Sequence, residues 1–150
     1  MKVMAVDPGE KRIGIAISDP TGTIANPHSI LVHKSRQKDA FAIVKLAAEN
    51  NISKIIIGEA LNSDNMPTNQ SKNARRLAEE IRSQCDLPII MWDESGSTRE
   101  AYQAGINMGI PQKKRKKQID DIAATFILQT YLDLNKPPRS NQLPEGKGTT

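Results

Sequence analysis

Hydrophobic and polar positions along the chain change period twice. Val3 to Val6 is a short unbroken apolar run, which predicts a buried strand that ends on Asp7. After Pro8 and Gly9, isoleucines at 13, 15 and 17 alternate with Gly14 and Ala16, the mark of a half-buried strand with small residues on one face. Asp19-Pro20-Thr21-Gly22 predicts a second turn, and Ile24 to His33 a third strand, so the chain opens with an antiparallel meander. The period then becomes helical. Ala40, Phe41, Val44, Ala47 and Ala48 predict a helix stopped at Asn50-Asn51, followed by an apolar strand from Ile55 to Ile57. Ala74, Leu77, Ala78, Ile81 and Cys85 predict a second helix, followed by a strand from Ile89 to Trp92. Helices that alternate with uninterrupted apolar strands indicate parallel strands covered on both faces, an α/β fold.

Ser97-Thr98-Arg99-Glu100 reads as a capping box that opens a third helix, closed by Gly109 and Pro111. The last helix is expected from about Gln118 to Leu134. At about 100° per residue, Ile119, Ile122, Ala123, Phe126, Ile127, Thr130, Tyr131 and Leu134 form one broad stripe. Asp120 falls beside that stripe and Asp121 away from it. Residues 1–135 are expected to make one domain, and 136–150, rich in Pro, Gly and polar residues, a disordered tail.

Carboxylates recur where such strands end. Asp7 closes the first strand, Glu59 follows "IIIG", and Asp93 and Glu94 follow "IIMW". Ligands collect at the carboxyl ends of parallel strands, so these acids are expected at one sheet edge. A single acid there is most often a turn former; three strands each delivering one, with Asp120 from the last helix, suggest a shared ligand. Clustered carboxylates repel unless a divalent cation joins them, and hard oxygen ligands suit Mg²⁺ or Mn²⁺. Two such ions serve phosphodiester hydrolysis. His28 and His33, five apart on a predicted strand, make a poor metal pair and read as ordinary edge histidines.

Charge narrows the partner. The formal net charge is +4, and Lys113, Lys114, Arg115, Lys116 and Lys117 stand in an unbroken basic run just before Asp120. Read as a loop, that run would grip phosphates beside the acidic site, with Lys11 and Arg12 extending the surface. Aromatics are 3% of residues, too few for an extended base-stacking platform. The single cysteine, Cys85, excludes an intrachain disulfide and reads as core. No apolar run approaches membrane-spanning length and no signal peptide is evident, so a cytoplasmic protein without membrane partners is expected.

The stretches "VDPGEKRIGIAISD", "IIIGEALNSDN", "MWDESGSTREA" and "KKRKKQIDDIAATFILQTYL" resemble the YqgF/RuvX family over residues 1 to about 135. That family is associated with Holliday-junction resolution and with nuclease processing of the 5′ end of pre-16S rRNA, on a ribonuclease H-like fold. The resemblance implies catalytic and metal-binding acids at Asp7, Glu94 and Asp120. It also implies structured nucleic acid as substrate, pre-rRNA before branched DNA. Where the family usually has Asp-Glu-Arg this chain has Asp93-Glu94-Ser95, which removes a cation. Related ribonuclease H-like enzymes carry a metal-binding glutamate on the fourth strand, which makes Glu59 a further candidate ligand. The expected activity is metal-dependent phosphodiester cleavage by a monomer or homodimer. Two other readings stay open: an RNA- or ribosome-binding module without catalysis, and a nucleotide binder suggested by "DPGEKRIG". The latter needs a much longer chain.

Overall fold

A computed structural model describes residues 1–61, 64, 66–93 and 112–135, with side chains of 112–122 excluded. Three strands come first: β1 (Lys2–Pro8), β2 (Arg12–Ser18) and β3 (Ala25–Val32). They are followed by α1 (Arg36–Glu49), β4 (Ile52–Glu59), α2 (Asn69–Gln84), β5 (Ile89–Asp93) and α3 (Gln112–Leu134). One sheet in the order β3-β2-β1-β4-β5 contains all five strands. β1–β2 and β2–β3 pair antiparallel, while β1–β4 and β4–β5 pair parallel. The expected meander continued by two parallel strands is the observed topology, with helices on both faces.

Alternation along the strands sorts side chains between two cores. Met4, Val6, Ile55, Ile57 and Ile89 pack with Ile43 of α1 and Leu77 and Ile81 of α2. Val3, Ala5, Ala16 and Ile56 pack on the other face with Ala124, Ile127, Leu128 and Tyr131 of α3. Small residues of β1 and β2 let α3 lie close to the sheet, as the alternating "IGIAI" pattern suggests. Tyr131 also stacks edge-to-face with Trp92, their centroids 5.3 Å apart, and accepts a 2.8 Å hydrogen bond from Lys54 Nζ.

Helix ends follow local chemistry. Ser35 Oγ accepts from Lys38 N at 3.2 Å to cap α1, and Thr68 Oγ1 accepts from Ser71 N at 3.1 Å to cap α2. Asn51 takes the left-handed conformation (φ 56°) that turns α1 into β4, a conformation asparagine tolerates better than most residues.

The β2–β3 turn is built on a carboxylate. Asp19 Oδ1 accepts from Ile24 N at 2.9 Å and Thr23 N at 2.8 Å, and Oδ2 accepts from the Thr21 hydroxyl. These bonds, that from Ile24 first, hold the Asp19 carboxyl well below the usual carboxylate range. A depressed folded-state pKa contributes stability above the unfolded value, lost as pH falls toward the folded one. Asp19→Asn should therefore melt below wild type at pH 7, with the gap closing below pH ~4. Thermal melts across that range check this.

Three sequence expectations change. α3 begins at Gln112, so the basic run expected in a loop forms the helix's opening turns. Lys, Arg and Gln are strong helix formers, and nothing between Gln112 and Gln118 breaks the helix. The buried stripe is rotated. Ala124, Leu128 and Leu132 are buried beside Ile127 and Tyr131, while Leu134 is 71% exposed. Cys85 is half-buried at the C-cap of α2 and packs against the core from just beyond the helix. The helix expected after Ser97 and the tail lie outside the described residues.

Candidate active-site edge

β1, β4 and β5 are adjacent and parallel, so Asp7, Glu59 and Asp93 all reach the same sheet edge. Their parities divide them. Asp7 follows Val3 and Ala5, the β1 residues that pack under α3. Glu59 follows Ile55 and Ile57, which pack under α1 and α2. The register pairs Val6 with Ile57, so Gly58 is the next β4 position beside Asp7, and Glu59 is set against Asp93. Proximity of neighbouring strands, the sequence argument for Glu59, does not bring its carboxylate to the face of Asp7.

Glu59 has a partner on its own face. Its side chain is 7% exposed, and its Oε1 accepts a 2.9 Å hydrogen bond from Arg75 Nε of α2. A buried carboxylate requires such compensation. Glu59 is thus buried and paired on the α2 side of the sheet, away from the face of Asp7.

Asp7 is half-buried and belongs to the last turn of strand before the chain reverses. The reversal is closed by backbone: Gly9 N donates to Arg12 O at 2.8 Å. A Cβ at Gly9 would stand 2.7 Å from that carbonyl, so only glycine fits. Lys11 and Arg12 are exposed at this reversal, as the expected basic extension requires.

Sequence reasoning missed a clamp under Asp7. Gln70, in the first turn of α2, donates from Nε2 to Pro8 O at 3.2 Å and accepts from Ala60 N at 2.8 Å. Thr68, the α2 cap, donates its hydroxyl to Ala60 O at 2.7 Å. One amide thus ties the chain just after Asp7 to the chain just after Glu59, beyond the last β1–β4 ladder pair. No sequence signal marks Gln70, because its partners are backbone atoms 10 and 62 residues away. Gln70→Ala should lower kcat for any reaction at Asp7 about tenfold with little change in KM, since small misplacements at a reacting centre are costly. Gln70→Glu, which can still accept from Ala60 but cannot donate to Pro8 when ionised, should fall between. Steady-state kinetics on the two variants checks this.

Glu94 lies outside the described residues, and for Asp120 and Lys113 to Lys117 only the helical backbone is described. Asp93 is exposed at the end of β5 with the parity of Ile89 and Met91, the α2 side. Among the described residues, no three His, Cys, Asp or Glu side chains are grouped to hold a metal ion. No helix among them is long and apolar enough to cross a membrane.

Comparison with known proteins agrees with this architecture. Residues 1–134 match the model of the family described as RuvX, Holliday junction resolvase. A relative from Syntrophomonas wolfei is 38% identical over 133 residues, covering 89% of this chain and 94% of its own. One from Thermoanaerobacter pseudethanolicus is 38% identical over 137 residues, covering 91% and 99%. Both carry the name "Putative pre-16S rRNA nuclease". Among solved structures, Thermus thermophilus RuvC with a Holliday junction substrate superposes with a TM-score of 0.55 at 10% identity, covering 90% of this chain and 96% of that one. The fowlpox virus resolvase with Holliday junction DNA gives 0.54 at 16% identity, covering 91% and 100%. At such identities these two show the fold alone, and the fold is ribonuclease H-like.

Proposed function

The chain belongs to the RuvX family, and from that membership we propose a divalent-metal-dependent nuclease that processes the 5′ end of pre-16S rRNA by phosphodiester hydrolysis. The observation that carries this reading is the placement of Asp7. It stands at the carboxyl end of the central strand, on the face that α3 covers, and α3 carries the basic run and then Asp120.

The metal-holding set in this reading is Asp7, Glu94 and Asp120. All three offer hard carboxylate oxygens suited to Mg²⁺ or Mn²⁺. Asp7 has the parity of the α3 face, and Asp120 belongs to α3. Glu94 rests on the family resemblance. The rotated buried face of α3 removes the periodicity argument for Asp120 over Asp121. Ala124 is buried and stands four residues after one and three after the other. The choice of Asp120 rests on the resemblance. When bound, the metal supplies an activated water and charge stabilisation at the phosphate. The chain's own part is to hold the carboxylates at fixed spacing, which the β1–β4 ladder and the Gln70 clamp do for Asp7.

The basic run supports a polyanionic substrate. Cations at a helix N-terminus oppose the helix dipole, by a few tenths of a kcal/mol each when exposed. The first turn of α3 contains no acid to offset Lys113 and Lys114. Phosphates arriving there would reverse the penalty. Replacing Lys113 to Lys117 by glutamine should weaken nucleic-acid binding and flatten its log–log salt dependence by up to about 4, since each phosphate contact contributes roughly 0.7–0.9. Binding titrations at several salt concentrations check this.

Family relatives and structural neighbours favour two substrates, pre-rRNA and four-way DNA junctions. Side-by-side cleavage of a pre-16S 5′ fragment and a four-way junction, with Mg²⁺ or Mn²⁺, tests the proposal. Cleavage of the RNA is expected. Cleavage of the junction alone would make the protein a resolvase, and binding without cleavage of either would make it a non-catalytic module.

A further inference from the structure

A cleft of about 330 Å³ opens between the β1–β2 turn and the start of α1, at the same end of β1 as Asp7 but on the α1 and α2 side. His33, Arg36, Asn73, Gly9 and Glu10 line it, and Asp39 forms part of its wall. Asp39 is 5% exposed, and both its oxygens are used. Oδ1 accepts from Lys34 N at 3.0 Å, and Oδ2 is bonded to His33 Nδ1. The His33 main chain is fixed as well, its N–H donating to Lys11 O at 2.9 Å. A buried acid and the β1–β2 turn therefore hold this ring at the cleft, with Nε2 as its remaining polar atom.

Arg36 is the lysine or arginine that lines the cleft among the described residues. The Arg36 side chain makes no hydrogen bond or ion pair among the described residues, nor do those of Lys34 and Lys38, near it in sequence, or of Lys11, whose carbonyl accepts from His33 N. All are exposed. Among the described residues that line the cleft, Glu10 is the exposed acid. Arg36 belongs to α1, which packs on the sheet face opposite α3.

We propose that this cleft is a second phosphate-binding site, where His33 and Arg36 hold a backbone phosphate of the substrate strand flanking the scissile bond. The inference rests on the nuclease reading above. A strand engaged at Asp7 would continue over the Gly9 turn, past Lys11, and into the cleft. Arg36 supplies a permanent charge and a planar fork of donors suited to phosphate. With Nδ1 bonded to Asp39, His33 leaves Nε2 as the ring atom to meet a phosphate oxygen, and a histidine that carries protons on both nitrogens donates from each. A purely structural role for the His33–Asp39 pair would tie the β3–α1 linker down and leave RNA affinity unchanged.

The test uses the full chain and a labelled pre-16S 5′ fragment. Binding is measured at several salt concentrations without divalent metal, and cleavage is measured with Mg²⁺. His33→Gln/Arg36→Gln should weaken binding about tenfold near 0.1 M salt, flatten the salt slope by about 1 to 2, and leave kcat at saturating RNA unchanged. Glu10→Gln should tighten binding about twofold, an effect that no structural role of the pair predicts. If the double variant loses its fold, exposed Arg36→Gln alone takes its place, with about half the effect. Unchanged affinity in the double variant or its substitute, beside weakened binding in the Lys113–Lys117 glutamine variant, would overturn the cleft proposal and leave the nuclease reading standing. Wild-type protein that binds neither RNA nor junction DNA would overturn both.

Discussion

Asp7→Asn should lower single-turnover cleavage by roughly 10³-fold, equivalent to about 4 kcal/mol, while the melting temperature stays close to wild type. The size follows from position. β1 is the central strand of the sheet, so its carboxyl end stands between the β2 reversal and the two parallel strands. A carboxylate there stands on the face that α3 covers, between the reversal into β2 and the end of β4. Asparagine preserves shape and hydrogen-bonding capacity but removes the negative charge that a hard cation requires. Asp7 is half-buried rather than in the core, and the turn beyond it is closed by Gly9 and Arg12. The substitution should therefore leave the fold in place. Single-turnover kinetics beside a thermal melt separates loss of chemistry from loss of structure. Cleavage at the wild-type rate would remove Asp7 from the site.

The next largest effect should come from Glu94→Gln, a loss of roughly 10²-fold in single-turnover rate. Glu59→Gln should cut at close to the wild-type rate and instead melt at a lower temperature. The contrast comes from the face that Glu59 takes and from the family resemblance at Glu94. Glu59 is buried on the α2 side and bonded to Arg75, so its neutral replacement weakens a helix-to-strand tie. Arg75 is about half exposed, and solvent screening reduces the value of the pair, so the stability loss should be modest. Rates and melts on both variants decide. An inactive Glu59→Gln with an active Glu94→Gln would transfer the second acid of the site to β4.

Much of the fold is legible in the sequence because its strands differ in character. Alternating Ile with Gly and Ala in β2 announces a face that a helix can approach closely, and α3 lies on that face. The unbroken "IIIG" and "IIMW" runs of β4 and β5 announce strands buried on both sides. That same uniformity hides which face each end residue takes. With apolar residues inward and outward alike, nothing local distinguishes Gly58 from Glu59 as the neighbour of Asp7. Only the register Val6 to Ile57 settles it, and register is a tertiary fact. Glu59 was for this reason readable as an edge acid but not as the partner of Arg75.

The clamp and the cleft were hidden for related reasons. Gln70 bonds two backbone groups on different strands, and His33 meets Asp39 only once β3 has turned into α1. Neither spacing matches a motif. In α3 the difficulty was reversed. A run of charges reads as a solvated loop, yet Lys, Arg and Gln propagate a helix once apolar contacts further along anchor it. Phe126 and Thr130 fit the predicted stripe but are only half-buried. The face that packs on Ala5 and Ala16 is instead centred on Ala124, Leu128 and Tyr131.

Mn²⁺ binding followed by electron paramagnetic resonance, on wild type, Asp7→Asn and Glu59→Gln, tests the divided edge most directly. Wild type and Glu59→Gln should bind the ion with the same stoichiometry, and Asp7→Asn should bind less or none. Retained binding in Asp7→Asn together with its loss in Glu59→Gln would contradict a metal site on the α3 face of β1.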